Sequence, residues 1–389
     1  MTSLDSSSTQ GPLDGLLVAD FSRVLAGPYA TMLLADLGAT VIKVEGPGGD
    51  DTRTWQPPVR DTEDGPVSTY YLSINRNKRS IVLDLTDPAD RSLAQELAAR
   101  ADVLVENFKH GGLTRFGLDH DTVRAGNPGV IYCSITGFGT HEGANLPGYD
   151  LLVQAMSGLM SLTGAADGTP YRAGVAVFDV LTGLHAGMAI LAALHHRDRT
   201  GEGQRVETNL LSTALSTLVN QTSAVLAGGV VPYRMGNAHP SLFPYEPMPT
   251  ADGTLIIIAG NDGQYRKLCA AIGRPELGDD PRFATMADRT ARREELRPLL
   301  LAALAKRPAT EWFDLLTAAG VPCGPINTVD AGIALAERLG LAPIVQSGGA
   351  DGVPTIRNPV DYSATPPSYR LAPPALGADS DAIRAWLTS

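Results

Sequence analysis

The chain has 389 residues, of which 43% are apolar and 19% are charged, as in ordinary soluble globular proteins. Its net charge of −11 argues against a nucleic-acid-binding surface, because phosphates would be repelled. The three cysteines lie far apart and no Cys/His cluster has zinc spacing, so we expect reduced thiols and no metal site.

Neither the N-terminus nor the longest apolar stretch has the features of a targeting or membrane segment. The N-terminus lacks the basic start and apolar run of a signal peptide. We interpret residues 1–12 as a disordered leader. The longest apolar stretch, residues 180–194, is shorter than the ~20 residues that a membrane helix needs. We therefore predict a cytoplasmic protein without a membrane span.

The first predicted elements alternate between strand and helix. Residues 16–21 form a compact apolar run typical of a buried strand. Pro28 suits the first turn of a helix that ends at Gly38, and residues 40–45 predict a second strand. Such strand–helix–strand units build a doubly wound parallel sheet. The pattern continues with predicted strands at 80–85, 102–106 and 130–135, and with helices at 88–101 and 179–194.

The composition changes near Gly228, where turn-forming residues cluster before a strand at 253–260 and several helical patterns. We predict three parts. Residues 1–225 form a large α/β domain with a Rossmann-like, doubly wound parallel sheet. Residues 226–325 form a smaller α+β domain, and residues 326–389 form a C-terminal segment that returns to the large domain.

Two loops that follow predicted strands carry side chains suited to a phosphate-bearing ligand. Parallel sheets bind ligands at the carboxyl ends of their strands, where Arg23 follows the first strand and Asn107, Phe108 and Arg115 follow a later one. These residues offer positive charge, an amide and an aromatic face. Each alone is more often structural, but their shared location favours a ligand site.

Standard nucleotide and hydrolase motifs are missing from the sequence. No GxGxxG follows the first strand, and there is no P-loop, GxSxG or HExxH. Lys78 and Arg79, in the segment NRNKR, could face a pyrophosphate or belong to a solvated turn. The pattern by itself favours the turn.

Asp179 is flanked by apolar residues at the start of a predicted helix. One interpretation is an N-cap, which the pattern alone favours. The other is a nucleophile, since a helix dipole helps to keep an aspartate ionised and a carboxylate can attack a thioester carbonyl. Burial would oppose this by raising its pKa. Asp150, beside Tyr149, is a second acid that could cap the helix after it.

Together these segments resemble the class III CoA transferases, the family of formyl-CoA transferase and α-methylacyl-CoA racemase. The resemblance covers nearly the whole chain, including DFSRVLAGPYATMLLADLGATVIKVE, NRNKRSIVLDL, ADVLVENFKHGGLTRFGLD and DVLTGLHAGMAILAALHHR, in the family's order. It implies transfer of CoA from an acyl-CoA to a free carboxylic acid, with CoA as a substrate and no tightly bound cofactor. It also implies an interlocked homodimer.

The resemblance implies a role for individual residues. Asp179 matches the family's essential aspartate, which would form a mixed anhydride and then an aspartyl-CoA thioester. Tyr149 and Asp150 match the segment beside the reacting thioester. The residues expected to bind CoA are Arg23, Val24, Leu25, Ala26, Arg79, Leu83, Asp84, Leu85, Thr86, Asn107, Phe108, Lys109 and Arg115.

The sequence departs from some members of the family. Gly46 replaces an arginine that many members carry, and Leu25 replaces a glutamine of formyl-CoA transferase. Residues 238–242 replace its glycine-rich lid, in a segment that resembles members using dicarboxylates, and residues 236–246 could still cover the site. Tyr149 replaces a histidine of the racemase, so we rank a racemase or epimerase below a transferase. A non-catalytic acyl-CoA binder is the third hypothesis.

Overall fold

The computed structural model describes residues 11–62 and 65–389. Residues 1–10 of the predicted disordered leader therefore lie outside the described residues. Gly11 and Pro12 belong to a turn, and the Leu13 amide after them donates to the Leu37 carbonyl oxygen at 3.0 Å.

The strands form one parallel sheet and several smaller antiparallel sheets. Over the described ranges they are, in chain order, β1 (Leu17–Asp20), β2 (Thr40–Glu45), β3 (Val59–Thr62), β4 (Gly65–Ser68), β5 (Lys78–Val82), β6 (Val103–Glu106), β7 (Ile131–Thr136), β8 (Gln204–Asn209), β9 (Tyr245–Pro249), β10 (Thr254–Ile258), β11 (Cys323–Pro325), β12 (Ile344–Ser347) and β13 (Val353–Ile356).

The helices range from one turn to more than six turns in length. Over the same ranges they are α1 (Ala26–Asp36), α2 (Thr69–Ile74), α3 (Pro88–Arg100), α4 (His120–Gly126), α5 (Asp150–Met156), α6 (Leu159–Leu162), α7 (Val177–Thr200), α8 (Leu210–Thr217), α9 (Asn220–Leu226), α10 (Asp262–Ala271), α11 (Pro275–Asp279), α12 (Met286–Ala291), α13 (Arg293–Leu304), α14 (Ala309–Ala318), α15 (Val329–Arg338) and α16 (Ser380–Leu387).

The main sheet has the order β5-β2-β1-β6-β7-β8, and its neighbouring strands are all parallel. The chain winds outward from β1 through β2 and β5, then in the other direction through β6, β7 and β8. The predicted doubly wound, Rossmann-like fold class is therefore confirmed. The order reverses between β1 and β6, where such sheets leave a crevice for a ligand. The sequence did not predict β8, a mostly polar strand at the edge of the sheet.

Helices cover both faces of this sheet, which explains why its central strands are apolar on both sides. Residues of α1 and α7 pack with Val18 and Ile131 in the core on one face. Residues of α3 and α16 pack with Ile42 and Leu104 on the other face. The predicted strands and helices thus bury their apolar residues in two cores that share one sheet.

Helix α7 approaches α1 very closely at Gly183. A Cβ atom on Gly183 would lie 2.6 Å from the Ala26 carbonyl oxygen, so only glycine fits without displacing the backbone. Gly183 lies one helical turn after Asp179. The contact therefore places the second turn of α7 against the first turn of α1.

The chain divides into two compact units. The first unit comprises the described residues up to 159 together with 172–229 and 342–389, and it contains the parallel sheet. The second comprises 160–171 and 230–341. Residues 326–341, which we expected in the C-terminal segment, lie in the second unit, and so does 160–171 from the expected large domain. Residues 342–389 belong to the first unit.

The second unit has its own sheet and its own core. Its antiparallel sheet has the order β11-β10-β9. Phe243, Leu300 and Trp312 are among the apolar residues buried against this sheet. The predicted α+β character of the smaller part is therefore present.

Helix α7 is, among the described helices, the one that is long and apolar enough to cross a membrane by length and composition. It extends from 177 to 200 rather than from 179 to 194, because the polar residues near its end remain helical until Gly201 at φ +77°. Core helices of soluble proteins satisfy the same criterion, and Ala186 and Ile190 of α7 are fully buried in the first unit.

Candidate active site

A cavity of about 330 Å³ lies at the carboxyl ends of β1, β2, β5 and β6, where the strand order reverses. It combines cationic, polar and aromatic side chains, as a phosphate-bearing ligand with a ring system requires. The predicted ligand-binding residues that line it are Arg23, Leu83, Asp84, Leu85, Thr86, Phe108 and Arg115.

The two arginines of this cavity are available to an anionic ligand. Arg23 pairs with Asp51 at 3.3 Å, but both side chains are more than half exposed, so the pair contributes little stability. Arg115 is exposed, and its guanidinium carbon lies 4.5 Å from the centre of the Phe116 ring. Gly46, which replaces an arginine that many members of the resembling family carry, also lines the cavity. Arg23 and Arg115 therefore supply positive charge that position 46 lacks.

Three of the predicted CoA-binding side chains have other contacts. Asn107 Oδ1 accepts from the Arg23 amide at 3.0 Å and its Nδ2 donates to the Arg23 carbonyl oxygen at 2.7 Å, which joins the loops on either side of the crevice. Arg79 pairs with Asp379 at 3.0 Å, away from the cavity lining. Lys109 is exposed and lines a separate polar cavity of about 180 Å³.

Lys78 is neither at a pyrophosphate site nor in a solvated turn, so both of our interpretations of it are wrong. Its side chain is fully buried, and its Nζ donates to the carboxylate of Asp20 at 3.0 Å and to the Pro28 carbonyl oxygen at 2.9 Å. Burial lowers the pKa of Lys78 to about 8, although the Asp20 carboxylate favours the charged form. Lys78 therefore fixes the end of the loop between β1 and α1 through its hydrogen bond to the Pro28 carbonyl oxygen.

The loop residues Val24, Leu25 and Ala26 connect the cavity to the first turn of α1. Helix α1 begins without a side-chain cap and without an acidic residue in its first turn. Its first N–H groups have no acceptor within the helix, and its dipole favours a negative charge there. Since Gly183 contacts Ala26, these N–H groups lie close to the start of α7.

Asp179 is the third residue of α7, so the expectation that it is the N-cap of this helix is wrong. Ala176 occupies the N-cap position and provides no side-chain hydrogen bond. Asp150 provides that bond instead, because its Oδ1 accepts from the amides of Phe178 at 2.8 Å and Asp179 at 3.2 Å. Asp150 thus caps α7 rather than its own helix, α5.

Gln154, one turn along α5, holds this arrangement in place. Its Nε2 donates to the other carboxylate oxygen of Asp150, and its Oε1 accepts from the Ala173 amide at 2.8 Å. Gln154 is fully buried, and Asp150 is 8% exposed. The segment that leads into α7 is therefore fixed to α5 by buried hydrogen bonds.

Two carboxylates consequently lie close together at the start of α7. Burial, followed by repulsion from the Asp150 carboxylate, raises the pKa of Asp179 from 3.8 to about 7. A raised pKa in a carboxyl group of this kind is typical of functional sites. The geometry makes Asp179 a carboxylate that is more basic than usual yet still ionised in a large fraction of molecules at neutral pH.

Tyr70 is a neighbour of Asp179 that the sequence analysis did not identify. Burial, followed by the negative charge of Asp179, raises the pKa of Tyr70 to about 12, so the phenol stays protonated at neutral pH. Its ring lies edge-on to Trp55, with ring centres 4.9 Å apart. Tyr149, which the sequence analysis did place at the site, is the N-cap residue of α5 and is 65% exposed.

Within residues 11–62 and 65–389, no group of three or more His, Cys, Asp or Glu side chains is placed to hold a metal ion. The groups that interact with the Asp179 charge include the Asp150 carboxylate and the phenol of Tyr70.

Comparisons with known proteins point to one family. The sequence model of CoA-transferase family III matches residues 13–380. The succinate–glutarate CoA-transferase of Agrobacterium fabrum is 45% identical, with 98% of this chain and 97% of that protein aligned. The succinyl-CoA:glutarate CoA-transferase of Mus musculus is 43% identical over 94% of this chain and 84% of that protein. A crystal structure of a CAIB/BAIF family protein from Brucella suis is 44% identical, covers 98% of this chain and 100% of that one, and has a TM-score of 0.88.

The raised pKa of Asp179 predicts a pH-dependent gain in stability for Asp179→Asn. The carboxyl ionises near pH 3.8 in the unfolded chain but near 7 in the native state, so between these values the native state binds more protons and stability falls as pH rises. From pH 4 to pH 8 the variant should gain up to about 4 kcal/mol of unfolding free energy relative to wild type, at ~1.36 kcal/mol per pKa unit, and less where solvent screens the charge.

Urea unfolding at both pH values measures this difference. The control is Asp198→Asn, which removes an exposed aspartate from the same helix and should show no such pH dependence. An equal stability difference at pH 4 and pH 8 for Asp179→Asn would contradict the raised pKa.

Proposed function

The chain belongs to CoA-transferase family III, and we propose that it transfers CoA from an acyl-CoA to a free carboxylic acid through a covalent intermediate on Asp179. The observation that carries this proposal is the Asp179 carboxyl itself, which lies at the start of α7, beside Asp150, with a pKa raised to about 7. A carboxylate with this basicity is a stronger nucleophile than an ordinary one and is still ionised at neutral pH.

The first half of the reaction moves CoA onto the enzyme. A carboxylate oxygen of Asp179 attacks the thioester carbonyl carbon of the donor, the carbon–sulfur bond breaks, and the CoA thiolate leaves with the electron pair. The thiolate then attacks the aspartyl carbonyl carbon of the mixed anhydride. The bond to the donor's carboxylate oxygen breaks, so the donor acid leaves and an aspartyl-CoA thioester remains.

The second half repeats these steps in reverse with the acceptor. The acceptor carboxylate attacks the aspartyl thioester and releases the thiolate, which then attacks the acceptor's carbonyl carbon and frees Asp179. No proton has to move once Asp179 is ionised, since the acids that leave and enter are charged carboxylates at neutral pH and the thiolate is consumed as soon as it forms. The enzyme's task is to position the groups and to stabilise the tetrahedral oxyanions.

The uncapped start of α1 is suited to stabilise those oxyanions. Leu25, Ala26 and Gly27 can each donate a backbone N–H, whereas Pro28 has none. The close contact between Gly183 and Ala26 keeps these donors beside the second turn of α7, one turn after Asp179. N–H groups held where negative charge develops lower the barrier because they need no reorganisation during the reaction.

We propose that the 330 Å³ cavity binds the nucleotide end of CoA. Arg23 and Arg115 would contact phosphates, and Phe108 offers a face for the adenine ring. The residues from Leu83 to Thr86 would form the opposite wall. Asn107 would act indirectly, by fixing the loop that carries Arg23. Direct contacts of Val24, Ala26, Lys109 and Arg79 with CoA, and closure of residues 236–246 over the site, stay predictions.

We further propose a dicarboxylic acid as acceptor, and Arg172 as the residue that binds its second carboxylate. The names of two similar proteins include succinate or succinyl-CoA and glutarate. Arg172 is exposed, and its guanidinium donates to the Ala173 carbonyl oxygen at 3.3 Å and pairs with no carboxylate of the described chain. Its neighbour Ala173 is bound by Gln154, which also binds Asp150. The backbone next to Arg172 is therefore fixed to the same hydrogen-bonded cluster as Asp179.

We also propose that the chain forms a homodimer through the apolar face around α7. Leu184, Met188 and Leu191 are exposed large apolar residues on this helix, as are Leu151 and Met156 on the neighbouring helix α5. A patch of this kind on a soluble protein usually marks an interface. A second copy of the chain would cover this patch; the family resemblance implies a homodimer but does not say which face forms its interface.

The covalent step predicts that hydroxylamine traps Asp179 during turnover. Incubation of wild-type enzyme with succinyl-CoA and hydroxylamine should convert the Asp179 carboxyl to a hydroxamate and abolish activity, because the amine attacks the activated aspartyl group. Asp179→Asn should lose CoA exchange by about 10⁴-fold or more, as expected for a lost nucleophile. Peptide mass spectrometry locates the label, and Asp198→Asn serves as the control.

Other outcomes of this experiment support the alternatives. A racemase or epimerase would exchange the substrate's α-hydrogen for deuterium without a covalent label. A binder would bind acyl-CoA without either reaction. Retention of CoA exchange by Asp179→Asn would refute the proposed mechanism.

The proposed role of Arg172 predicts a change in acceptor preference. Arg172→Gln should lower kcat/KM for glutarate by about 10- to 100-fold, the value of a charged hydrogen bond, and should change kcat/KM for butyrate by no more than about threefold. Arg199→Gln, which alters an exposed arginine at the far end of α7, is the control. Equal losses for both acids would show that Arg172 does not recognise the second carboxylate.

The proposed dimer predicts that Leu184→Glu/Met188→Glu is monomeric, because two charges would be buried in the interface. Sedimentation equilibrium should give a dimer for wild type without detergent and a monomer for the variant. A monomeric wild type, or one that requires detergent to stay in solution, would contradict the proposal and in the second case favour a membrane contact of α7.

A further inference from the structure

Val24 has a backbone conformation that its side chain disfavours. Its φ is +70°, in the left-handed region, where a β-branched residue is an outlier. It lies between Arg23, which lines the cavity, and Leu25 and Ala26, with which α1 begins. Strain of this kind persists only where surrounding contacts impose it, and it is frequent at functional sites.

Asp50 supplies the contact that imposes this conformation. Its carboxylate accepts from the Val24 amide at 3.2 Å and 3.4 Å. Lys43 Nζ donates to Oδ2 of the same carboxylate at 2.8 Å, and both side chains are 1% exposed. The amide and hydroxyl of Thr52 donate to its Oδ1 at 3.0 Å and 2.8 Å. The carboxylate is therefore held on every side and cannot follow a movement of Val24.

Lys43 and Lys78 fix the two ends of the strained loop. Lys43 donates to the Ser22 carbonyl oxygen at 3.0 Å, and Lys78 donates to the Pro28 carbonyl oxygen at 2.9 Å. With both ends fixed, the backbone between them has little freedom. The contact with Asp50 then determines how Val24 is turned and so where the N–H groups of Leu25 and Ala26 point.

We propose that Asp50, held by Lys43, is a positioning residue for the reaction: it keeps Val24 in the left-handed conformation and thereby directs the first N–H groups of α1 toward the oxyanion formed at Asp179. This inference rests on the proposed function. It assigns a role to a buried ion pair that lines the cavity and does not react. Because the N–H groups act on the transition state, displacing them lowers kcat more than it raises KM.

Two substitutions at position 24 test the proposal in combination with Asp50→Asn. Asparagine keeps an oxygen toward Thr52 and places an NH₂ group toward Lys43 and Val24. Val24→Gly removes the conformational penalty at φ +70°, whereas Val24→Ala removes the branched side chain but keeps the penalty. Asp51→Asn is the control for Asp50, because the Asp51 side chain is exposed and, among the described residues, forms its ion pair with Arg23 at the rim of the cavity.

Asp50→Asn should lower kcat about 10- to 100-fold with less than about a threefold change in KM, as for a lost oxyanion donor. In the Val24→Gly background, Asp50→Asn should lower kcat by about threefold or less. In the Val24→Ala background the full loss of kcat should remain, because the effects of substitutions at contacting residues are non-additive. Asp51→Asn should leave kcat within about twofold of wild type.

Three results would overturn the proposal. The first is an unchanged kcat for Asp50→Asn, and the second is an equal effect of Gly and Ala at position 24. The third applies if the single variant Asp50→Asn does not fold. In that case Val24→Gly/Asp50→Asn should fold and Val24→Ala/Asp50→Asn should not, so the proposal is overturned if neither double variant folds. Hydroxylamine labelling of wild-type Asp179 tests the proposed function separately, since the wild-type protein is labelled only if the aspartyl intermediate forms. If the label forms and one of the three results is obtained, the role of Asp50 is wrong but the proposed function stands.

Discussion

Two buried ion pairs, Asp20 with Lys78 and Asp50 with Lys43, determine the shape of the candidate site. Asp20, Lys43 and Lys78 lie on three adjacent strands, β1, β2 and β5, and the side chains of all four residues are at most 1% exposed. Burial raises the pKa of Asp20 and Asp50, but the adjacent lysines lower it below the ordinary value in both cases. Buried charges persist only when they are paired and hydrogen-bonded. The loop between β1 and α1 supplies part of that bonding and is fixed by it.

A second long-range contact determines the reactivity of Asp179. Helix α7 has no cap of its own, and Asp150, 29 residues earlier, provides one. The same carboxylate that stabilises the start of the helix also repels the charge of Asp179 and contributes to its raised pKa. The repulsion that makes the Asp179 carboxylate more basic thus also destabilises the native state, as is common in active sites.

The two ends of the site differ in how their charges are held. The cations of the cavity, Arg23 and Arg115, are exposed and weakly paired, which suits a polyanionic substrate that has to bind and leave. Beside Asp179, the side chains of Asp150 and Gln154 are buried and hydrogen-bonded to each other, which suits a reaction in which the groups that hold the nucleophile must not move. The overall charge of −11 does not conflict with binding CoA, because exposed cations such as Arg23 and Arg115 line the cavity itself.

The sequence by itself determined the alternation of strands and helices, because the apolar patterns that define it are local, and it therefore predicted the doubly wound sheet and the loops at its carboxyl edge. It also indicated Arg23, Phe108, Arg115 and Asp179, since the first three follow predicted strands and Asp179 begins a predicted helix. Tertiary structure alone decided that Lys78 is buried, that Asp150 caps a distant helix and that Tyr70 lies near Asp179. These outcomes depend on contacts between residues 28 to more than 100 positions apart. Such contacts leave no periodic pattern along the chain, and the pKa values that follow from them exist only once water has been removed from around the charges.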